Sequence, residues 1–299
     1  MGTTIAVLGA GAMGARVARN LLEAGHLVTV YNRSPERAKP LQNLGATVAA
    51  TPRAAAEGVA VVISMVRDDA ASRAVWLNEE TGAINNLAAE AVAIESSTLT
   101  PGWVRTLAER VHARGASFLD APVLGTRPQA EAKQLVYLVG GATGALERVA
   151  PLLAATSSAV HHIGDVGAGA TMKLAVNTLY GVQVAIWAET LALLEAQGIA
   201  VAGAVQLLNT LPTTSPALQS AGRLMAAGSY APMFPIELVA KDFGYALALA
   251  EALGAATPTL AAVAALYAKA EARGYGNHNI VGIKQLFDAL NRERSAVGV

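Results

Sequence analysis

Residues 4–34 read TIAVLGAGAMGARVARNLLEAGHLVTVYNRS, and the order of residue types in this stretch decides the fold. Thr4–Leu8 is a short apolar run rich in β-formers. A glycine-rich turn follows, Met13–Ala24 carries a helical pattern, Gly25 ends it, and His26–Tyr31 reads as a second strand. Strand, helix and strand at this spacing make a βαβ unit. The turn sets glycine at positions 9, 11 and 14. Gly9 permits the tight turn, Gly11 lets a backbone approach a pyrophosphate, and Gly14 allows close helix packing. The helix N-terminus then offers N–H groups and a partial positive charge to phosphates. A glycine triplet in this context reads as a dinucleotide site formed by Gly9, Gly11, Ala12, Met13 and Gly14.

The residues after the second strand select the dinucleotide. An acidic residue there binds a ribose 2′-OH; this chain has Asn32, Arg33 and Ser34 instead. A carboxylate would repel a 2′-phosphate, whereas Arg33 offers a guanidinium fork and Asn32 and Ser34 offer hydrogen bonds. The expected cofactor is NADP(H), with Arg33 the main discriminator and Arg37 one turn further on as a helper.

Working outward, the first half keeps alternating. Helical stretches at Arg37–Leu44 and Pro52–Glu57 separate strand-like runs at Ala46–Ala49 and Val59–Val66. Further strands are expected at Ala91–Glu95, Ser117–Leu119 and Leu135–Val139, together forming a parallel sheet. After Gly169 the alternation stops. Ala170–Gln197 lacks proline and has one glycine, so it reads as one helix roughly 40 Å long, joining two lobes. Helices follow at Ala202–Asn209, Ser215–Ala226, Leu238–Leu253, Thr259–Arg273 and Ile280–Leu290. The expected architecture is an α/β Rossmann domain over residues 1–165 and an all-α domain over 166–299, joined by the long helix.

Composition narrows the function. The 299 residues include 22 basic and 22 acidic side chains and no cysteine. A net charge of zero argues against a nucleic-acid partner. The absence of cysteine excludes disulfides, thiolate nucleophiles and cysteine-ligated metal; no metal site is expected. Hydrophobic residues reach 53%, but alanine supplies much of that. No stretch has the roughly 20 predominantly apolar residues of a membrane span. The chain opens on a strand with no signal-peptide pattern, so a soluble, cytoplasmic protein is expected. His161-His162 have no ligand partners at metal spacing.

Lys173 and Asn177 stand four apart near the start of the long helix and therefore share a face. A second polar pair, Lys241-Asp242, follows the apolar run Met233–Ala240. On local evidence each pair reads more readily as a solvated helix face. Tyr180 and Trp187, on the Lys173 face, read as core, as does Phe234.

Four motifs taken together change that reading: the opening stretch, DAPVLGTRPQAEAKQL from Asp120, GAGATMKLAVN around Lys173, and KDFGYALA from Lys241. In this order, over residues 3–288, the chain resembles the β-hydroxyacid dehydrogenases. That group includes 3-hydroxyisobutyrate dehydrogenase, tartronate semialdehyde reductase and the glyoxylate/succinic semialdehyde reductases. The resemblance implies Lys173 as catalytic acid/base and Asn177 as the residue orienting substrate and lysine. It places Met65, Val66, Thr98 and Lys241 at the cofactor, with Asp242 orienting. Ser97, Leu124, Gly125 and Thr126 fall at the substrate, together with Lys173 and Asn177. It also implies a homodimer or homotetramer with interlocking helical domains.

One departure stands out. Many members read A-P-V-S-G where this chain has Ala121-Pro122-Val123-Leu124-Gly125, so the serine hydroxyl is lost. Thr126 and Arg127 are the candidate substitute donors; the alternative is a substrate that lacks a carboxylate or places it differently. The Pro128–Glu131 run, PQAE, leans toward the glyoxylate/succinic semialdehyde subgroup. The expected reaction is hydride transfer between NADPH and the carbonyl of a small aldehyde or keto acid. The alternatives are an imine reductase of similar architecture, which Leu124 mildly favours and Lys173 opposes, and a cofactor-binding protein without catalysis.

Overall fold

The computed structural model describes residues 2–297. Among the described residues nine strands form one sheet: β1 (Thr4–Leu8), β2 (Leu27–Tyr31), β3 (Thr47–Val48), β4 (Val61–Ser64), β5 (Val92–Glu95), β6 (Ser117–Asp120), β7 (Val123–Leu124), β8 (Leu135–Gly141) and β9 (Ser157–Gly164). Their order is β3-β2-β1-β4-β5-β6-β8-β7, with β9 also paired to β8. The first six in that order are parallel. The order reverses between β1 and β4, where doubly wound sheets bind ligands beyond their carboxyl ends.

The sheet is buried on both faces, which explains its near-continuous apolar strands. Ile5 and Val7 of β1 face a core shared with Val17 and Leu21, while Ala6 and Leu8 face one shared with Trp76 and Leu107. The helices of this part are α1 (Gly14–Glu23), α2 (Lys39–Gln42), α3 (Pro52–Ala55), α4 (Asp69–Leu77), α5 (Pro101–His112), α6 (Arg127–Glu131) and α7 (Thr143–Ala154). Register pairs Tyr31, Leu8, Ser64, Glu95, Asp120 and Gly140 in one row across the sheet. Where the row reaches β4, β5 and β6, its residues become polar.

One expectation about the sheet needs correction. The sheet is mixed, because β8 runs antiparallel to β6 and β7. His161 and His162 lie at the sheet edge, in β9, whose partly exposed residues leave no alternating apolar signal to read.

Helix α8 (Ala168–Ala196) is 29 residues long. It is followed by α9 (Val201–Leu208), α10 (Pro216–Ala226), α11 (Ile236–Ala252), α12 (Pro258–Ala270) and α13 (Lys284–Val297). The chain divides into two compact units between Lys173 and Leu174, inside α8. Residues 1, 298 and 299, the outer limits expected for the domains, lie outside the described residues. The helical unit has its own core, including Val184, Trp187, Leu191, Phe243, Tyr267 and Phe287. Trp187 is thus core, and Tyr180 and Phe234 pack against it half-buried. The helix expected over Thr259–Arg273 ends early, because residues 271–275 form a π-turn in which Gly274 takes φ +88°.

Candidate active site

The three glycines of the first turn answer to different constraints. Gly9 has φ +109°, and a Cβ there would lie 2.3 Å from the Met65 carbonyl oxygen. A Cβ on Gly14 would lie 1.9 Å from the Gly9 carbonyl oxygen. The protein's own backbone therefore dictates both. A Cβ on Gly11 would meet nothing within 4 Å, so nothing in the protein demands glycine there. Helix α1 has no side-chain cap and no acidic residue in its first turn. An open approach at Gly11 beside an uncapped helix N-terminus fits a pyrophosphate.

Asn32 holds this turn in place. Its Oδ1 accepts the Ala10 N–H at 2.9 Å and its Nδ2 donates to the Ser34 carbonyl at 2.9 Å. One of the two Asn32 amide N–H donors and one acceptor site on its oxygen are thus used within the protein. Arg33 and Arg37 are exposed beyond β2, and Ser34 is half-buried.

The next two strand ends are cross-linked. Ser97 Oγ accepts the Val66 N–H at 2.8 Å, tying the residues after β4 to those after β5. Beneath them lies Glu95, with no exposed surface. It accepts from Ser97 N at 3.0 Å, Ser72 Oγ at 2.7 Å and Trp76 Nε1 at 2.9 Å. Burial pushes the Glu95 carboxyl above the ordinary range, against the pull of the Ser97, Ser72 and Trp76 donors. Asp69 secures the far end of this loop, accepting from Thr100 N at 3.0 Å and Thr100 Oγ1 at 2.6 Å. Met65 and Ser97 are buried; Val66 and Thr98 are half-buried. The motif reading passed over Glu95. The available signal was a carboxylate closing the apolar strand VAIE.

Leu124 ends β7 half-buried, and Gly125 follows with φ +116°. The Thr126 N–H and hydroxyl both donate to Gln129 Oε1, at 2.9 and 2.8 Å. Both Thr126 donors are therefore spent inside the turn. By contrast, Arg127 Nε is buried without a hydrogen-bond partner.

On α8, Lys173 retains 9% and Asn177 8% of their surface. Lysine is rarely that buried, so the solvated-face reading fails for this pair. Within the helical unit, Asn177 Nδ2 donates to Asp242 Oδ2 at 2.6 Å. Asp242 Oδ1 lies 2.9 Å from Lys241 Nζ, an ion pair without hydrogen-bond alignment. Lys241 also lies over the Tyr245 ring, 4.7 Å from its centre. Asp242 thus bridges Asn177 and Lys241, which fixes the Asn177 amide with its carbonyl end turned away from the carboxylate.

Sheet order, glycine turn and uncapped helix define a dinucleotide-binding protein of the doubly wound α/β class. A family model described as the NAD binding domain of 6-phosphogluconate dehydrogenase matches residues 4–164. One described as NAD-binding of NADP-dependent 3-hydroxyisobutyrate dehydrogenase matches residues 167–286. The chain is 35% identical to 3-hydroxyisobutyrate dehydrogenase of Pseudomonas aeruginosa, over 92% of this chain and 95% of that one. It is 31% identical to glyoxylate/succinic semialdehyde reductase 2 of Arabidopsis thaliana, over 97% of this chain and 81% of that one. The crystal structure of 3-hydroxyisobutyrate dehydrogenase from Salmonella typhimurium superposes with a TM-score of 0.87 at 26% identity, covering 95% and 99% of the two chains. An imine reductase from Pseudomonas sp. shares the fold at 0.61 and 23%, covering 95% and 99%. The chain belongs to the β-hydroxyacid dehydrogenase family, oxidoreductases acting on hydroxy or carbonyl substrates with a nicotinamide cofactor. Among the described residues no helix is long and apolar enough to cross a membrane.

Proposed function

We propose that this protein is an NADPH-dependent reductase of a small aldehyde or keto acid, with Lys173 as general acid/base. The observation that carries this reading is the buried Lys173–Asn177 pair on one helix face, with Asn177 oriented by Asp242. The bound nicotinamide supplies hydride. Lys173, as an ammonium, hydrogen-bonds the carbonyl oxygen and delivers a proton to it; in the reverse direction it takes that proton back. Asn177 orients substrate and lysine, and Lys241 reaches the cofactor. Residues 1–165 serve as the cofactor domain and 166–299 as the substrate and dimerisation domain, in a cytoplasmic protein.

The substrate carries an acidic group, as succinic semialdehyde and glyoxylate do. With serine replaced by Leu124 and Thr126 committed to Gln129, the Gly125 N–H and the Arg127 guanidinium are the donors that meet it. A charge-assisted contact from Arg127 replaces the missing hydroxyl. Leu124 also supports the second reading, an imine reductase. Assays with succinic semialdehyde and a cyclic imine separate the two: turnover of the imine alone rejects the carbonyl assignment.

Arg33 reads the 2′-phosphate of NADPH, supported by the lack of any carboxylate among Tyr31, Asn32, Arg33 and Ser34. One charge-assisted hydrogen-bonded contact is worth about 1.5–3 kcal/mol. Arg33→Ala is therefore expected to lower kcat/KM for NADPH roughly 10- to 100-fold and to leave NADH unchanged. Steady-state kinetics with both cofactors check this; a wild-type preference for NADH rejects it.

The protein assembles as a homodimer or homotetramer through α8. Met172, Leu179, Ile186 and Leu193 recur every seven residues and are 39%, 63%, 53% and 67% exposed. Such a seam on an otherwise ordered helix suits burial against a second copy. The double variant Leu179→Glu, Ile186→Glu is expected to run as a monomer by light scattering, where the wild type does not.

A further inference from the structure

We propose that Asp120 is a positioning residue for the reaction: its buried carboxylate fixes the start of α8, and with it Lys173, to the strand that leads into the substrate loop. This inference rests on the catalytic reading of Lys173. Asp120 ends β6, five residues before Gly125, and has no exposed surface. Its Oδ1 accepts the Gly167 N–H at 2.9 Å, and its Oδ2 accepts the Ala170 N–H at 2.7 Å. Lys173 follows Ala170 by three residues, less than one helical turn.

The surroundings are cleared for this contact. A Cβ on Gly140 would lie 2.4 Å from Asp120 Oδ1. A Cβ on Gly169 would lie 2.4 Å from the Leu138 carbonyl oxygen and 2.8 Å from that of Asp120. Glycine at both positions lets the carboxylate sit against β8 and the first turn of α8 together. The contrast with α1 is informative: α1 is left uncapped for an incoming phosphate, whereas α8 is capped from a strand about 50 residues earlier in the chain.

Only an ionised carboxylate offers acceptors at both oxygens. Burial pushes the Asp120 carboxyl above its ordinary range, opposed by the Gly167 and Ala170 N–H groups and the Arg105 guanidinium. A raised folded-state pKa gives stability below the ordinary aspartate pKa that is lost as pH rises through the raised value.

The test is Asp120→Asn, which keeps the shape but turns an amide N–H₂ toward one backbone N–H. With succinic semialdehyde, kcat is expected to fall on the order of 100-fold. The primary isotope effect with 4-deuterated NADPH should rise while NADPH affinity, by fluorescence titration, stays within about 2-fold. The melting temperature should stay within about 3 °C. Gly169→Ala, which displaces the helix start but leaves the carboxylate intact, should give the same loss of kcat with NADPH binding retained. Wild-type kcat in Asp120→Asn overturns the proposal, as does a kcat loss that only follows loss of NADPH binding or of the folded state. Wild-type turnover by Lys173→Ala, in contrast, overturns the catalytic reading beneath it.

Discussion

On the proposed mechanism, replacing Lys173 by alanine is expected to remove nearly all turnover, on the order of 10²–10⁴-fold in kcat, and to leave NADPH affinity unchanged. The variant would lose the proposed proton donor to the carbonyl oxygen, whereas the glycine turn after β1, Met65–Val66 and Ser97–Thr98 are untouched. Asn177→Ala is expected to cost less, because Asn177 orients without carrying the proton. Its amide is held by Asp242 at 2.6 Å, so Asp242→Ala should reproduce the Asn177 phenotype rather than that of Lys173. Single-turnover rates separate the three: full activity in Lys173→Ala removes the lysine from the chemistry.

The second large effect separates fold from ligand within one motif. In Gly14→Ala the new methyl would meet the Gly9 carbonyl oxygen at 1.9 Å, backbone against backbone. Helix α1 must then move off β1. The expected cost is about 3 kcal/mol, a fall of roughly 6–12 °C in melting temperature, with NADPH binding lost. Gly11→Ala should behave differently, since its methyl meets no protein atom within 4 Å. Its melting temperature without cofactor stays at the wild-type value. NADPH affinity falls roughly 10- to 100-fold, the equivalent of one charge-assisted hydrogen bond to phosphate. Thermal shifts with and without NADPH read both. Equal destabilisation of the two variants contradicts the division of roles.

The sequence made β1 legible to the residue, because it is both apolar and bounded by glycine, and placed α1 and β2 to within one residue at each end. Thr4–Leu8 is the strand in both readings, and α8 begins two residues before the expected start. Elements that depend on distant partners were not legible. Strand β7 is two residues long and exists because Val123 and Leu124 pair with Tyr137 and Val136. Strand β9 carries two exposed histidines side by side, so no alternation marks it. The same holds in the site. Lys173 and Asn177 were found through motif order, whereas Glu95 and Asp120 act on groups brought to them by the fold. The Asn32 carbonyl oxygen accepts the Ala10 N–H, 22 residues away, a contact that local sequence has no means to show. Leu124 was recognised as a departure, but that Thr126 is committed to Gln129 follows only from the turn geometry.

The most direct test of the account is to follow deuterium from 4-deuterated NADPH during reduction of succinic semialdehyde, with wild-type protein and Lys173→Ala side by side. The account predicts one deuterium at the carbinol carbon of the hydroxy-acid product, saturable NADPH consumption by the wild type, and almost none by the variant. An unlabelled product, or labelled product formed equally fast without Lys173, would contradict it.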